Sequence, residues 1–123
     1  MGRVIKALVA VVAAAATVLG VGACSAPAAS GVPTGATVVD VRTPAEYAAG
    51  HLSGAVNIDV ESPDFATKIS ALDPAGTYLV YCRTGSRAAL AKSQMGTRSF
   101  THVTNIGGID AAAKTTGLPV VTH

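Results

Sequence analysis

The sequence predicts an α/β fold, with a parallel sheet flanked by helices on both faces of a single domain. Short β-branched runs alternate with short helical segments along residues 36–123, and such alternation is typical of parallel sheets covered by helices. The length of 123 residues suits one domain. Half of the residues are hydrophobic and only 4% are aromatic, so we expect a core built mainly from Val, Ile, Leu and Ala.

The N-terminus has the features of a secretory signal peptide. Arg3 and Lys6 precede an uncharged apolar stretch that ends in small residues, and this order is typical of signal peptides. A transmembrane helix is the alternative, because an uncharged run of this length is near the lower limit for spanning a bilayer.

Residues 21–24, Val-Gly-Ala-Cys, resemble the lipobox of bacterial lipoproteins. The resemblance implies cleavage before Cys24 and attachment of a diacylglycerol to that cysteine. Two acyl chains anchor a protein stably to a membrane. We therefore expect a lipoprotein signal peptide at residues 1–23 and an exported protein, lipid-anchored to the bacterial membrane, with its domain outside the cytoplasm.

Residues 24–35 are rich in Ala, Ser, Pro and Gly without periodicity. They are predicted to form a flexible tether, and residues 36–123 the folded domain. Loss of residues 1–23 removes two of the nine basic residues and leaves seven, equal to the number of acidic ones. A neutral chain without a basic stripe argues against nucleic-acid binding.

The first half of the domain begins with a strand and a capped helix. Residues 36–41 form a short β-branched run that predicts a buried strand. Thr43, Pro44 and Glu46 occupy the N-cap, N1 and N3 positions of a capping box, and Gly50 stands where such a helix ends. The next predicted elements are a strand at residues 56–58 and a helix that opens after residues 62–64.

The second half continues the alternation. Its predicted elements are a strand at Thr77–Tyr81, a helix at Arg87–Met95 stopped by Gly96, a strand at His102–Ile106 broken by two glycines, and a helix at Ala111–Thr115. Ligands of parallel sheets bind beyond the carboxyl ends of the strands. Arg42, Cys82 and Gly107 follow three of the predicted strands, so they mark the edge where a site is expected.

Cys82 is a candidate reactive thiol. The chain has two cysteines, Cys24 and Cys82, and a lipidated Cys24 leaves Cys82 without a partner in the chain. An unpaired thiol in an exported protein indicates reactivity. The alternative is an inert buried cysteine that packs as a small hydrophobe.

The residues after Cys82 suit an anion-binding loop. Gly85 permits a positive φ, and loop amides together with the N-terminus of the next helix attract anions. Arg83 and Arg87 add positive charge. These features favour the thiolate of Cys82 over the thiol. The alternative is an ordinary turn whose arginines are solvated.

Three sets of motifs in this chain resemble those of the rhodanese family. The matching segments are residues 38–47 and 50–58 for the N-terminal signature, 81–88 for the active-site loop, and 105–109 and 117–120 for the C-terminal signature. The resemblance covers nearly the whole domain and implies a rhodanese-like sulfurtransferase.

The resemblance implies a persulfide mechanism. Cys82 would take the outer sulfur of thiosulfate or a persulfide donor, hold it as a persulfide and pass it to a thiol or cyanide acceptor. The donor anion and the persulfide would be bound by Arg83, Thr84, Gly85, Ser86 and Arg87. Asp40 and Arg42 match a family element. Asp40 is expected to support the loop or the neighbouring helix, and Arg42 to be either a cation in the cleft or the counter-ion of Asp40.

Loop length distinguishes two activities within the resemblance. Four residues separate Cys82 from Arg87, whereas related phosphatases of the same fold have five, which widens the loop for a tetrahedral phosphate. The loop therefore favours sulfur over phosphate chemistry.

Two other functions remain open. A non-catalytic module that binds sulfur, an anion or a protein is the main alternative, although retention of Cys82 and both loop arginines favours an enzyme. A thiol redox protein is disfavoured because the chain has no C-x-x-C pair. His51, His102 and His123 lack metal-ligand spacing, so no metal or other cofactor is expected, and His51 is predicted to be structural.

Overall fold

The computed structural model describes residues 31–123 and confirms the predicted α/β class. A four-stranded parallel sheet has the strand order β3-β1-β4-β5, and β2 pairs with β6 in a separate antiparallel ladder. The elements in chain order are β1 (Thr37–Asp40), α1 (Pro44–Ala49), β2 (His51–Leu52), β3 (Val56–Asn57), α2 (Phe65–Ile69), β4 (Tyr78–Cys82), α3 (Ser86–Gly96), β5 (Val103–Gly108), α4 (Ile109–Thr116) and β6 (Val120–Val121).

The sheet separates two hydrophobic clusters. The first core cluster joins the sheet to α2 and α3 through side chains that include Phe65 and Met95. The second core cluster joins the sheet to α1 and α4 and includes Leu52 and Ala112. Side chains of a strand alternate between its faces; thus Tyr81 belongs to the second cluster and Cys82 to the first.

The capping box of α1 is confirmed. The Thr43 hydroxyl accepts a hydrogen bond from the Glu46 amide at 3.2 Å, and the Thr43 amide donates to Glu46 Oε1 at 3.2 Å. The helix ends at Gly50, whose amide donates to the Tyr47 carbonyl. The helix has six residues, and β2 starts directly after Gly50.

Several elements differ from the prediction. The two-residue strands β2 and β6 were not predicted, because each is too short to show periodicity. The glycines predicted to end the last long strand lie within β5, and Gly108 pairs with Cys82. Helix α4 consequently starts at Ile109 rather than Ala111.

Part of the predicted tether packs on the domain. The Gly31 amide donates to the Thr115 carbonyl at 3.0 Å, and Val32 packs against the second core cluster. The predicted signal peptide, Cys24 and the rest of the tether lie outside the described residues. Among residues 31–123, no helix combines the length and hydropathy needed to cross a membrane.

Candidate active site

Cys82 is the last residue of the inner strand β4, at the carboxyl edge of the sheet. It is fully buried and, within residues 31–123, forms no disulfide. Its Sγ accepts hydrogen bonds from the Gly85 amide at 2.9 Å and the Ala88 amide at 3.4 Å. Main-chain donors at the N-terminus of a helix stabilise a thiolate; the site is therefore built to hold negative charge on this sulfur.

The loop after Cys82 exposes further main-chain donors. Gly85 has φ +107° and caps α3 without a side-chain hydrogen bond, a conformation that glycine adopts freely. The amides of Thr84, Ser86 and Arg87 donate to no group in the described part of the chain. Main-chain donors at the positive end of a helix attract anions, so these amides and the N-terminus of α3 suit a negatively charged ligand.

A bulge in β5 holds this loop from the side. Val80 pairs with Asn105 but Cys82 pairs with Gly108, so β5 contains one extra residue. The Asn105 amide group donates from Nδ2 to the Gly85 carbonyl at 3.0 Å, while its Oδ1 accepts from the Gly107 amide at 2.8 Å. Asn105 thus fixes the residue whose own amide binds the Cys82 sulfur.

Gly108 contacts the loop main chain directly. A Cβ atom at this position would collide with the Arg83 carbonyl oxygen and lie 3.1 Å from Thr84 Cα. Any side chain at residue 108 would therefore displace the loop.

Asp40 and Arg42 form a buried network on the other face of the sheet. Arg42 Nη2 lies 2.6 Å from Asp40 Oδ2, its Nε donates to the same carboxylate, and the Tyr81 hydroxyl donates to Asp40 Oδ2 at 2.8 Å. Tyr81 in turn accepts from the Leu52 amide, and Arg42 donates to the Gly50 carbonyl. Of the two expected roles, Arg42 has that of counter-ion to Asp40.

This network has matching electrostatics. The hydrogen bond to Asp40 raises the pKa of Arg42, and burial is the main cause that raises the pKa of Tyr81. Both groups therefore keep their protons throughout the neutral range. The network supports β1, β2 and β4 without touching the Cys82 sulfur, because Asp40 and Tyr81 face away from it.

Arg87 is held by Glu46 of α1. The two terminal nitrogens of Arg87 lie 2.8 and 3.0 Å from the two carboxylate oxygens of Glu46. The hydrogen bond from Arg87 is the main cause that lowers the pKa of Glu46 to about 2, and the same bond raises the pKa of Arg87. Cys82 also raises the pKa of Arg87 through space, so this ion pair lies within electrostatic reach of Cys82.

The remaining loop side chains face solvent. Arg83, Thr84 and Ser86 are exposed, and the Arg83 guanidinium forms no ion pair or hydrogen bond with residues 31–123. His51 is buried, bonds through Nδ1 to the Tyr47 carbonyl and stacks on the Tyr47 ring. Within the described residues, no three His, Cys, Asp or Glu side chains are grouped closely enough to hold a metal ion.

Two contacts were missed in the sequence. Glu46 was assigned to the helix cap alone, and Asn105 was quoted as part of a motif without a role. Both form bonds to residues at least 20 positions away. The resemblance of residues 105–109 to the family's C-terminal signature was the one signal of a function for Asn105. No local pattern signalled the pairing of Glu46 with Arg87.

Comparison with known proteins gives this geometry a family. The sequence profile of the rhodanese-like domain matches residues 27–115. The thiosulfate sulfurtransferase PspE of Escherichia coli is 34% identical over 71 residues, which are 58% of this chain and 68% of the relative. The thiosulfate sulfurtransferase GlpE of Pseudomonas entomophila is 38% identical over 74 residues, covering 60% and 66% of the two chains.

Solved structures of rhodanese domains have a similar fold. A rhodanese with anions from E. coli superimposes with a TM-score of 0.59 at 31% identity and covers 72% of this chain and 99% of its own. The rhodanese-like domain of an Anabaena protein, solved by NMR, has a TM-score of 0.64 at 27% identity over 74% and 68% of the two chains. The profile match, the relatives and the shared fold all lead to one conclusion: the chain belongs to the rhodanese-like domain family.

Proposed function

We propose that the protein is a sulfurtransferase that carries sulfane sulfur on Cys82. The Cys82 thiolate attacks the outer sulfur of a donor, the S–S bond of the donor breaks, and the leaving group departs with the bonding electron pair. A thiol or cyanide acceptor then takes the sulfur from the persulfide and restores the thiolate. Two half-reactions that share one covalent intermediate give ping-pong kinetics.

The arrangement around the Cys82 sulfur is the observation that carries this proposal. Two amides already donate to Sγ, and the amides of Thr84, Ser86 and Arg87 stay available for a sulfur bound beyond it. Donors placed before the reaction stabilise developing negative charge without reorganisation. Relatives with 34% and 38% identity are named thiosulfate sulfurtransferases, which supports the same chemistry for this chain.

Mass spectrometry of the intact domain tests the proposal. Thiosulfate or an organic persulfide should add the mass of one sulfur atom, and cyanide should remove it. Cys82→Ser should abolish both changes and keep the fold, since serine and cysteine differ little in size. Ser93→Ala, on the exposed face of α3, is a control that should still load sulfur.

The result also decides the main alternative. A wild-type domain that takes up sulfur from no donor would be a non-catalytic module. A domain that loads sulfur but releases none to cyanide or thiols would be a sulfur-binding protein rather than a transferase.

We also propose that the protein is exported and held at the bacterial membrane by lipid on Cys24. The support is the sequence alone, namely the apolar stretch followed by residues 21–24. Metabolic labelling with a fatty acid should mark the wild-type protein, and Cys24→Ser should abolish the label. Membrane retention without any label would indicate a transmembrane helix instead.

A further inference from the structure

The charges beside Cys82 are largely compensated. Arg87 would be the second loop cation, but both of its terminal nitrogens are bonded to Glu46, and Arg–carboxylate pairs of this two-point geometry are among the stronger ion pairs. Arg83 is therefore the loop guanidinium that has no ionic partner among residues 31–123. Arg83, Arg87 and Glu46 together carry one net positive charge.

This charge matters for the donor. Attack on thiosulfate joins a thiolate to a dianion, releases sulfite dianion and leaves a persulfide anion, so three negative charges are close together throughout. Attack on methanethiosulfonate transfers the same outer sulfur and releases methanesulfinate, with two negative charges. Coulomb energy scales with the product of the charges; hence compensation of Arg87 disfavours the dianion more than the monoanion.

We propose that Glu46 is a specificity-determining residue that directs the site toward sulfane-sulfur donors of low charge, organic persulfides and thiosulfonates, and away from dianionic thiosulfate. This inference rests on the proposed sulfur transfer by Cys82. Glu46 does so by pairing with Arg87, and its exposed fraction of 30% shows that the pair is partly open to solvent rather than enclosed in the core.

Glu46→Gln separates this role from helix capping. Glutamine serves at the N3 position of a capping box, so the bonds with Thr43 are kept. The substitution removes the negative charge that residue 46 places beside the Arg87 guanidinium. Glu61→Gln is the matched control, because Glu61 acts on Arg87 through space and forms no side-chain hydrogen bond with the described residues.

The experiment compares kcat/KM for thiosulfate and for methanethiosulfonate. Glu46→Gln should raise the value for thiosulfate about tenfold and that for methanethiosulfonate about threefold, since the second donor has half the charge. Glu61→Gln should change either value less than about twofold. In the Glu46→Gln, Arg87→Gln double variant the gain should disappear, because the freed guanidinium is absent.

Three results would overturn the inference. Equal gains for both donors, no gain for thiosulfate, or a gain that survives in the double variant would each show that Glu46 does not act through Arg87. If Glu46→Gln fails to fold, the exposed Arg83→Gln replaces it and should lower kcat/KM about tenfold for thiosulfate and about threefold for methanethiosulfonate. Equal losses there would contradict the inference. A wild type that loads sulfur from neither donor would instead overturn the proposed function.

Discussion

Gly108 shows how closely two main chains approach at the candidate site. It pairs with Cys82 across the bulge, and its missing side chain leaves room for the Arg83 carbonyl. The sequence identified Cys82 and its loop because a strand, a cysteine and a glycine-containing turn follow one another. From the sequence alone, the two glycines after residue 106 were interpreted as the end of a strand. Only the fold, which brings the Arg83 carbonyl against residue 108, shows why glycine is required there.

Gly108→Ala should impair activity more than stability. The new methyl group must push the loop away, and overpacking of this kind costs about 1–3 kcal/mol. Displacement of catalytic groups by about 1 Å can reduce rates about 100-fold, so we expect at least a tenfold loss in kcat/KM for sulfur transfer. Gly96→Ala is the control, because a Cβ there meets nothing within 4 Å and alanine suits a helix better. Full activity of Gly108→Ala would contradict the close contact.

Two tyrosines of β4 provide a second comparison. Tyr81→Phe removes a buried hydroxyl that bonds both Asp40 and the Leu52 amide, and unsatisfied buried groups cost about 1–3 kcal/mol each. Tyr78→Phe removes one part-buried bond to the Asp73 carbonyl and should cost about 1 kcal/mol or less. Denaturant unfolding measures both. Equal losses would mean that the network around Asp40 contributes no more than the single bond of Tyr78.

At the scale of elements, the sequence predicted the helices and strands whose positions are determined by local residue patterns. The capping box of α1 and the helix start after residues 62–64 are local signals, and both helices begin where expected. Strands β2 and β6 have no such signal, because each is two residues long and gains its structure only from a partner about 70 positions away. The pairing of α1 with α3 through Glu46 and Arg87 is likewise a product of the fold, since it joins residues 41 positions apart.

The ion pair between α1 and α3 should make stability depend on pH. The folded-state pKa of the Glu46 carboxyl is about 2, below the ordinary value of 4.5. A lowered carboxyl pKa stabilises the fold above the unfolded-state pKa, and this stability is lost as pH falls from about 4.5 to about 2. For a partly exposed pair we expect about 1 kcal/mol.

Unfolding free energies of wild type and Glu46→Gln test this expectation. The difference should be present at pH 6 and vanish near pH 2, whereas Glu61→Gln should match the wild type at both. A difference that persists at the acidic end would show that it comes from helix capping rather than from charge.

At the scale of the whole molecule, the domain includes residues that the sequence assigned to a tether. Composition rich in Ala, Ser, Pro and Gly predicted flexibility for residues 24–35, but Gly31 and Val32 contact α4 and the second core cluster. Composition shows that this segment has few apolar side chains. It does not show whether those few pack against the folded domain.

A domain that starts at residue 31 should therefore be more stable than one that starts at residue 36. The longer form keeps one main-chain hydrogen bond and the packing of Val32, together about 1–2 kcal/mol. Thermal unfolding of the two forms measures the difference. Identical midpoints would show that residues 31–35 add nothing to the fold.

The alternation of side chains along β4 also determines which layer of the domain each tyrosine reports on in optical spectroscopy. The chain has no tryptophan and three tyrosines, so tyrosine provides most of its near-ultraviolet signal. Tyr78 packs edge-on against Phe100 beside α2 and α3, and Tyr81 lies beneath Arg42 on the opposite face. The near-ultraviolet circular dichroism spectra of Tyr78→Phe and Tyr81→Phe, subtracted from that of the wild type, give separate optical reporters for the two layers, and a tryptophan introduced into either layer would fluoresce against a dark background.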